Sequence, residues 1–204
     1  MSWKKEISQI KLREKLAKQQ GGSEAVKVQH DKGRLTLRER IDLLLDKDSF
    51  DEIGKVAGGA EYDDEGNLLS LTPANFILGF GKIEGQDVIV GGEDFTVKGG
   101  SPNAAGLRKS VYTEDLAVKH KFPLVRLHEG GGGSVAGPSK EKKGYGGDPV
   151  FARSRFKSVA QTLKEVPVVS AALGPVAGLP ASRFVGSHFR IMVKDNAQIL
   201  VAGP

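Results

Sequence analysis

The chain has 204 residues, 27 of them glycine and none cysteine, and a formal net charge of +5. That length buries one large core or at most two small ones, and the missing thiols exclude disulfides, a cysteine nucleophile and any cysteine-bound zinc. No apolar run approaches the roughly 20 residues that span a bilayer, and the opening residues mix charge with apolar side chains and so lack a signal-peptide core; a cytoplasmic protein with no membrane partner is expected. The mild basic excess suits an anionic ligand such as a nucleotide or CoA phosphate, and nucleic acid less specifically, so no nucleic-acid partner is expected.

Residues 3–20 read as a helix: Trp3, Ile7 and Ile10 recur at three- to four-residue spacing, and Gly21-Gly22 supply a stop. A second helix opens on a capping box, Thr36-Leu37-Arg38-Glu39, in which the hydroxyl and the carboxylate each satisfy a free amide. Leu37, Ile41, Leu44 and Leu45 form its apolar stripe. These helices are charged outside and thin in apolar residues. Residues 1–55 therefore read as a helical segment that packs onto a body or a partner, and residues 56–204 as the main domain.

From Phe76 short β-branched runs alternate with glycine turns. Residues 76–80, 88–90 and 95–97 read as strands, the last closed by Lys98-Gly99-Gly100-Ser101, and a helix follows over 103–120. Strand 123–127, a loop from Glu129 to Ser134 and a helix over 150–164 come next. Strand 166–173, the loop 174–178, a short helix and strand 198–202 complete the chain. Strand, glycine loop and helix thus occur three times, which predicts an α/β fold with right-handed crossovers and a largely parallel sheet. Ligands of such sheets sit beyond the carboxyl ends of the strands. The stop at Gly203-Pro204, directly after a buried-looking strand, reads as a cut through a longer protein.

A glycine loop leading into a helix aims free amides at one point, which suits phosphate or a developing oxyanion. Gly131 to Ala136 fits a dinucleotide fingerprint by count, but Gly137-Pro138 stops the helix that fingerprint needs. No serine-hydrolase elbow is present. His30, His120, His128 and His188 form no metal-ligating pair, so no metal is expected. His128, beside Glu129, reads as a strand-end histidine bonded to backbone.

Several segments, in order over residues 30–204, resemble the carboxyltransferase (beta) subunit of biotin-dependent acyl-CoA carboxylases, in its N-terminal half. Lys32 to Asp46 is similar to the family's G-K-L-T-A-R-E-R-I-x-x-L-L-D, and Asp94 to Ser101 to D-F-T-V-x-G-G-S. His128 to Ser134 sits where the family has N-D-S-G-G-A-R, and Gly174 to Gly178 matches G-P-C-A-G. The resemblance implies a crotonase/ClpP-like superhelix of strand–loop–helix repeats with N-terminal helices. It implies transfer of a carboxyl group from carboxybiotin to the α-carbon of an acyl-CoA. Biotin would ride on a separate carrier protein, with biotin carboxylase and biotin carrier subunits as partners and a homo-oligomer formed through a C-terminal half. The enolate oxygen would be held by the backbone amides of Gly178 and Leu179, and removing one such donor costs about 2.7–4 kcal/mol of barrier. Substrate-binding positions carried over are Lys98, Gly99, Gly100 and Ser101 in the first loop, Glu129, Gly130, Gly131, Gly132 and Gly133 in the second, and Ala177 in the third.

Departures from the family pattern are Leu179-Pro180 for Gly-Ala, Glu129 for Asp, Gly130 for Ser, and Gly133-Ser134 for Ala-Arg. Lys98, Arg108 and Lys109 flank the first loop and can meet CoA phosphates or form a solvated basic face. Lys140, Lys142, Lys143, Arg153 and Arg155 form a second basic stretch that reads as solvated. Two other readings stay open: the carboxyltransferase subunit of a biotin-dependent decarboxylase, and a non-catalytic oligomerisation domain that kept the fold.

Overall fold

The structure, a computed structural model, describes residues 3–132 and 155–201. Three helices open it: α1 (Lys4–Lys18), α2 (Ser23–Asp31) and α3 (Leu37–Leu44). Helix α1 forms as its spacing predicts, but Trp3, Ile7 and Ile10 stay half or more exposed and only Ala17 is buried. Helix α2 was not anticipated. Gly21-Gly22 end α1, yet Ser23 restarts a helix at once, and the residue it buries is the polar Gln29. A helix without an apolar stripe gives no periodic signal.

Helix α3 carries the capping box in full: the Thr36 hydroxyl accepts from Glu39 N at 3.4 Å, and Thr36 N donates to Glu39 Oε2 at 2.7 Å. Thr36→Ala is expected to cost about 1 kcal/mol, read as a lower urea midpoint with an unchanged slope.

Among the described residues nine strands follow. β1 (Asp51–Glu52), β4 (Phe76–Ile83) and β5 (Gln86–Glu93) pair antiparallel, whereas β5, β6 (Leu124–Gly130), β7 (Val168–Ala177) and β8 (Phe189–Met192) pair parallel. β9 (Gln198–Leu200) also lies parallel to β7, beyond β8. β2 (Gly58–Tyr62) and β3 (Leu68–Pro73) form a separate antiparallel pair. Helix α4 (Ala104–His120) joins β5 to β6, α5 (Arg155–Glu165) precedes β7, and α6 (Leu179–Val185) joins β7 to β8.

The sheet is therefore largely parallel, as the sequence predicts, and is mixed only through β4, which runs against the others. The cause is local: Glu84 and Gly85, both at positive φ, close a two-residue hairpin between β4 and β5, the geometry that matches strand twist. The Asp46 carboxylate fixes that turn by accepting from both amides, at 2.9 and 2.8 Å.

Residues 95–97 are a turn, not the expected strand. Asp94 Oδ1 accepts from Thr96 N at 3.0 Å and from the Thr96 hydroxyl at 2.6 Å, an Asx turn that outcompetes the β-branched residues' strand preference. Pairs β2–β3 and strand β8 escaped the sequence reading because β2 and β8 are exposed throughout and show no alternation. Strands β6 and β7 run further than expected, through Gly130 and Ala177, so Glu129, Gly130 and Gly174 to Ala177 are strand residues.

The central strands β4 to β7 are largely buried on both faces. Phe76, Leu78, Ile89, Leu124 and Val168 pack against Leu116 of α4 on one face, and Ile77, Val88, Val90 and Leu127 pack against Leu37 and Ile41 of α3 and the following Leu45 on the other. Strands covered on both sides read as continuous apolar runs, which is what Phe76 to Leu78 and Val88 to Val90 are. The arrangement leaves the carboxyl ends of β5, β6 and β7 side by side.

Candidate active site at the glycine loops

Three chain segments leave those strand ends and touch. After β5 the chain makes the Asp94 turn and a tight 3-10 turn, Lys98–Gly100, with Gly99 and Gly100 both at positive φ. After β6 come Gly131 and Gly132. After β7 comes Gly178, at φ 66°, and then α6. The loops are bonded to one another: Gly131 N donates to Gly99 O at 2.9 Å, and the Ser101 hydroxyl donates to Gly132 O at 2.9 Å. A Cβ on Gly132 would lie 3.5 Å from Gly178 Cα, and one on Gly100 would lie 2.6 Å from Gly130 Cα. Two backbones come that close only where neither carries a side chain.

Lys98, Gly99, Gly100, Ser101, Gly130, Gly131, Gly132, Gly178 and Leu179 thus meet in one place. Ala177 is at the same junction, but it is 3% exposed and packed into β7, so its side chain faces the core. Gly133 lies outside the described residues, as do Lys140, Lys142, Lys143 and Arg153.

The two amides expected to hold an oxyanion differ. Gly178 N donates to Leu200 O at 3.2 Å, because Gly178 extends the β7–β9 ladder that pairs Ala177 with Leu200. That amide is already used. The Leu179 amide, at the first turn of α6, meets no acceptor among the described residues, and neither does that of Gly132.

Glu129 is a second correction. Its carboxylate points away from the loops and is fully buried. Arg34 Nη1 donates to Oε1 at 2.9 Å, Gln29 Nε2 donates to Oε2 at 2.9 Å, and Arg40 Nη2 forms an ion pair with Oε2 at 2.5 Å. One methylene longer than aspartate, it reaches back to the segment running from α2 to α3 and takes no part in the loop surface.

Lys109 is a third. Lys98 and Arg108 are exposed beside the first loop, but Lys109 is 8% exposed and its ammonium donates to Gly54 O. Burial strips its hydration and pulls its pKa down to about 8, against the attraction of Glu52. Between that value and the ordinary one of the unfolded lysine, the unfolded chain binds more protons. Stability is therefore expected to rise as the pH goes from about 8 to about 10. Lys109→Met should flatten that rise, which urea midpoints at about pH 7.5 and about pH 9.5 measure.

Under the loops lies a set of charged residues that the sequence reading did not assemble. His128 Nδ1 sits 3.0 Å from Glu93 Oε2, a carboxylate partner in place of the expected backbone one. Glu114 Oε1 accepts from Arg126 Nη2 at 2.7 Å and from Arg183 Nε at 2.8 Å. All five side chains are nearly or fully buried. Burial works against ionised Glu93, but the charge and hydrogen bond of His128, with Arg183 beyond, outweigh it and hold its pKa below the usual range. Burial also pulls Arg126 down to about 10 despite Glu114, leaving it charged at neutral pH. The signal was available: Arg126 and His128 interrupt the apolar run Leu124, Val125 and Leu127 of β6, and Glu114 shares α4's inner face with Leu116 and Ala117. Charge at a core position is informative because such residues are buried only when paired.

A small cavity of about 20 Å³ opens between Gly100, Leu107, Ser110, Leu179, Pro180 and Arg183. A much larger cleft of about 690 Å³ lies between α1, α3 and β1. It carries the Arg38–Glu52 ion pair and none of the loop residues, so size does not mark the site here. Among the described residues no cluster of His, Asp or Glu could hold a metal ion, and no helix is long and apolar enough to cross a membrane.

A mixed α/β sheet whose parallel strands end in mutually packed glycine loops, ahead of a short helix, defines the crotonase-like carboxyltransferase architecture. The chain belongs to the carboxyl transferase domain family, whose model matches residues 28–204. It is 33% identical over 200 residues to the propionyl-CoA carboxylase beta chain of Roseobacter denitrificans, covering 97% of this chain and 38% of that one. It is 31% identical over 195 residues to the methylmalonyl-CoA decarboxylase subunit alpha of Veillonella parvula, covering 95% of this chain and 37% of that one. Among solved structures, a single-chain, multi-domain long-chain acyl-CoA carboxylase superposes with a TM-score of 0.79 at 27% identity, over 98% of this chain and 20% of that one. The chain spans less than two fifths of the length of these relatives.

Proposed function

We propose that this chain supplies the acyl-CoA-binding half of a carboxyltransferase site, with residues 56–204 as the binding unit and residues 1–55 as the helical segment docked on it. The observation that carries this reading is the Leu179 amide, left without an acceptor among the described residues where three backbone-bonded loops meet. A thioester carbonyl is an acceptor of the right kind. Loss of an α-proton from an acyl-CoA leaves negative charge on that oxygen, and a preorganised amide stabilises the charge as it develops. Gly132 offers a second amide, in place of Gly178. Lys98 and Arg108, both exposed, are placed to meet CoA phosphates.

Carboxybiotin, carried on a separate protein, would supply the carboxyl group. In this chain the fit to that chemistry is the unused donor rather than any acid or base: the nearby Glu93 and His128 are closed off beneath the loops. Biotin carboxylase and biotin carrier subunits are the partners this reading implies, with self-association through a C-terminal half.

Isothermal titration of the chain with acetyl-, propionyl- and methylcrotonyl-CoA tests the reading. Heat of binding with at least one is expected; a folded chain that gives none with any of the three overturns it. The decarboxylase relative supports a second direction of reaction at the same half-site. Release of CO₂ from methylmalonyl-CoA by the complete assembly, without ATP, would select that direction.

A further inference from the structure

We infer that Arg183 is a positioning residue, which locks the short helix α6, and with it the Leu179 amide, to the strand ends and to α4. This rests on the acyl-CoA reading above for its consequence but not for its geometry. Helix α6 has seven residues, too few to persist without tertiary support. Ala181 and Phe184 pack it on one side. What fixes it in register is polar. Arg183 is 3% exposed. Its Nε donates to Glu114 Oε1 at 2.8 Å, and its Nη1 donates to the Ser110 hydroxyl at 3.0 Å, both on α4. Glu114 Oε1 also accepts from Arg126 on β6.

The backbone side of Arg183 is held as well. Ser187 Oγ donates to Arg183 O at 2.8 Å and lies 2.7 Å from Ser170 Oγ on β7. Ser170 Oγ in turn lies 3.5 Å from His128 Nε2, and His128 Nδ1 meets Glu93. Glu93 closes the chain of contacts against the loops: a Cβ on Gly130 would lie 3.1 Å from its Cβ, and one on Gly100 would lie 3.4 Å from it. The first loop, the second loop and α6 thus pack against one buried frame, which is hydrogen-bonded from Arg183 to Glu93 and meets the loops by close contact. Arg183 is the residue of α6 through which the helix joins it. A planar guanidinium can bond Glu114 and Ser110 in two fixed directions at once, whereas an ammonium cannot reproduce that fork.

The test uses Arg183→Lys in the full chain, with Ser110→Ala as a milder variant that removes one bond. Two readouts are taken: affinity for propionyl-CoA against affinity for CoA itself, and hydrogen exchange of the peptide spanning residues 178–187. The expected result for Arg183→Lys is a loss of about tenfold in propionyl-CoA affinity. CoA affinity should stay within about twofold, because CoA lacks the thioester carbonyl. Exchange should speed up in 178–187 but not in β4 or β5. Ser110→Ala should move both readouts the same way by less, and it decides the matter if Arg183→Lys does not fold. Equal losses for both ligands, or unchanged exchange in 178–187, would overturn the inference. If the parent chain binds no acyl-CoA, the proposed function fails, and exchange alone then decides the role of Arg183.

Discussion

Glu129→Ala is expected to destabilise the fold by about 3–5 kcal/mol, because it strands two largely buried arginines without their counter-charge. Arg34 and Arg40 have side chains only 19% and 10% exposed, and both are closed on a carboxylate that is itself 1% exposed. Removing the acid leaves Gln29 without its acceptor too. Urea denaturation measures the loss. Raising the salt concentration should leave the parent's stability nearly unchanged, since buried pairs are poorly screened. Glu129→Asp, which restores the residue the family pattern has, should cost less but still measurably, because its carboxylate falls a methylene short of the three donors. A loss below about 1 kcal/mol for Glu129→Ala, the range of exposed ion pairs, would show that the clamp does not hold α2 and α3 to β6.

Gly100→Ala is expected to abolish detectable acyl-CoA binding and to destabilise the chain well beyond its backbone cost. An L-residue at φ 67° costs about 1–2 kcal/mol by itself. Here the added Cβ would also stand 2.6 Å from Gly130 Cα and 2.8 Å from Glu129 O. Backbone on both sides cannot give way as a side chain end can, so the first and second loops must separate. Gly33→Ala is the control: Gly33 has the same φ of 67°, and nothing lies within 4 Å of its Cβ position. The difference between the two variants in urea midpoint isolates the loop-to-loop contact. Titration with propionyl-CoA, given binding by the parent, should show Gly33→Ala binding like the parent and Gly100→Ala not at all. Equal behaviour of the two would mean that the loop contact does not shape the site.

These two residues also show where sequence reading stops. Glycines after strands announced a backbone-built site, and the three clusters do converge. Which amides remain free could not be read from them. The pairing of Ala177 with Leu200 across β7 and β9 spends Gly178 N, and that pairing depends on two stretches separated by a helix and a strand. By its place in the sequence, directly ahead of Gly130 to Gly133, Glu129 reads as a loop residue. Alternation along an extended strand, together with donors some 90 to 100 residues earlier, turns its side chain to the opposite side of the strand end.

By itself the sequence determined what short-range chemistry controls: α1 and α4 by period, α3 by a capping box closed within four residues, the existence of β4 and β5 by their apolar runs, and the family by the order of its motifs. The tertiary structure alone decided the mixed sheet, the enclosure of Lys109, the clamp on Glu129 and the frame around Arg183. Those features rest on bonds between residues far apart in the chain, and a buried charge reveals its role only once its partner is in place.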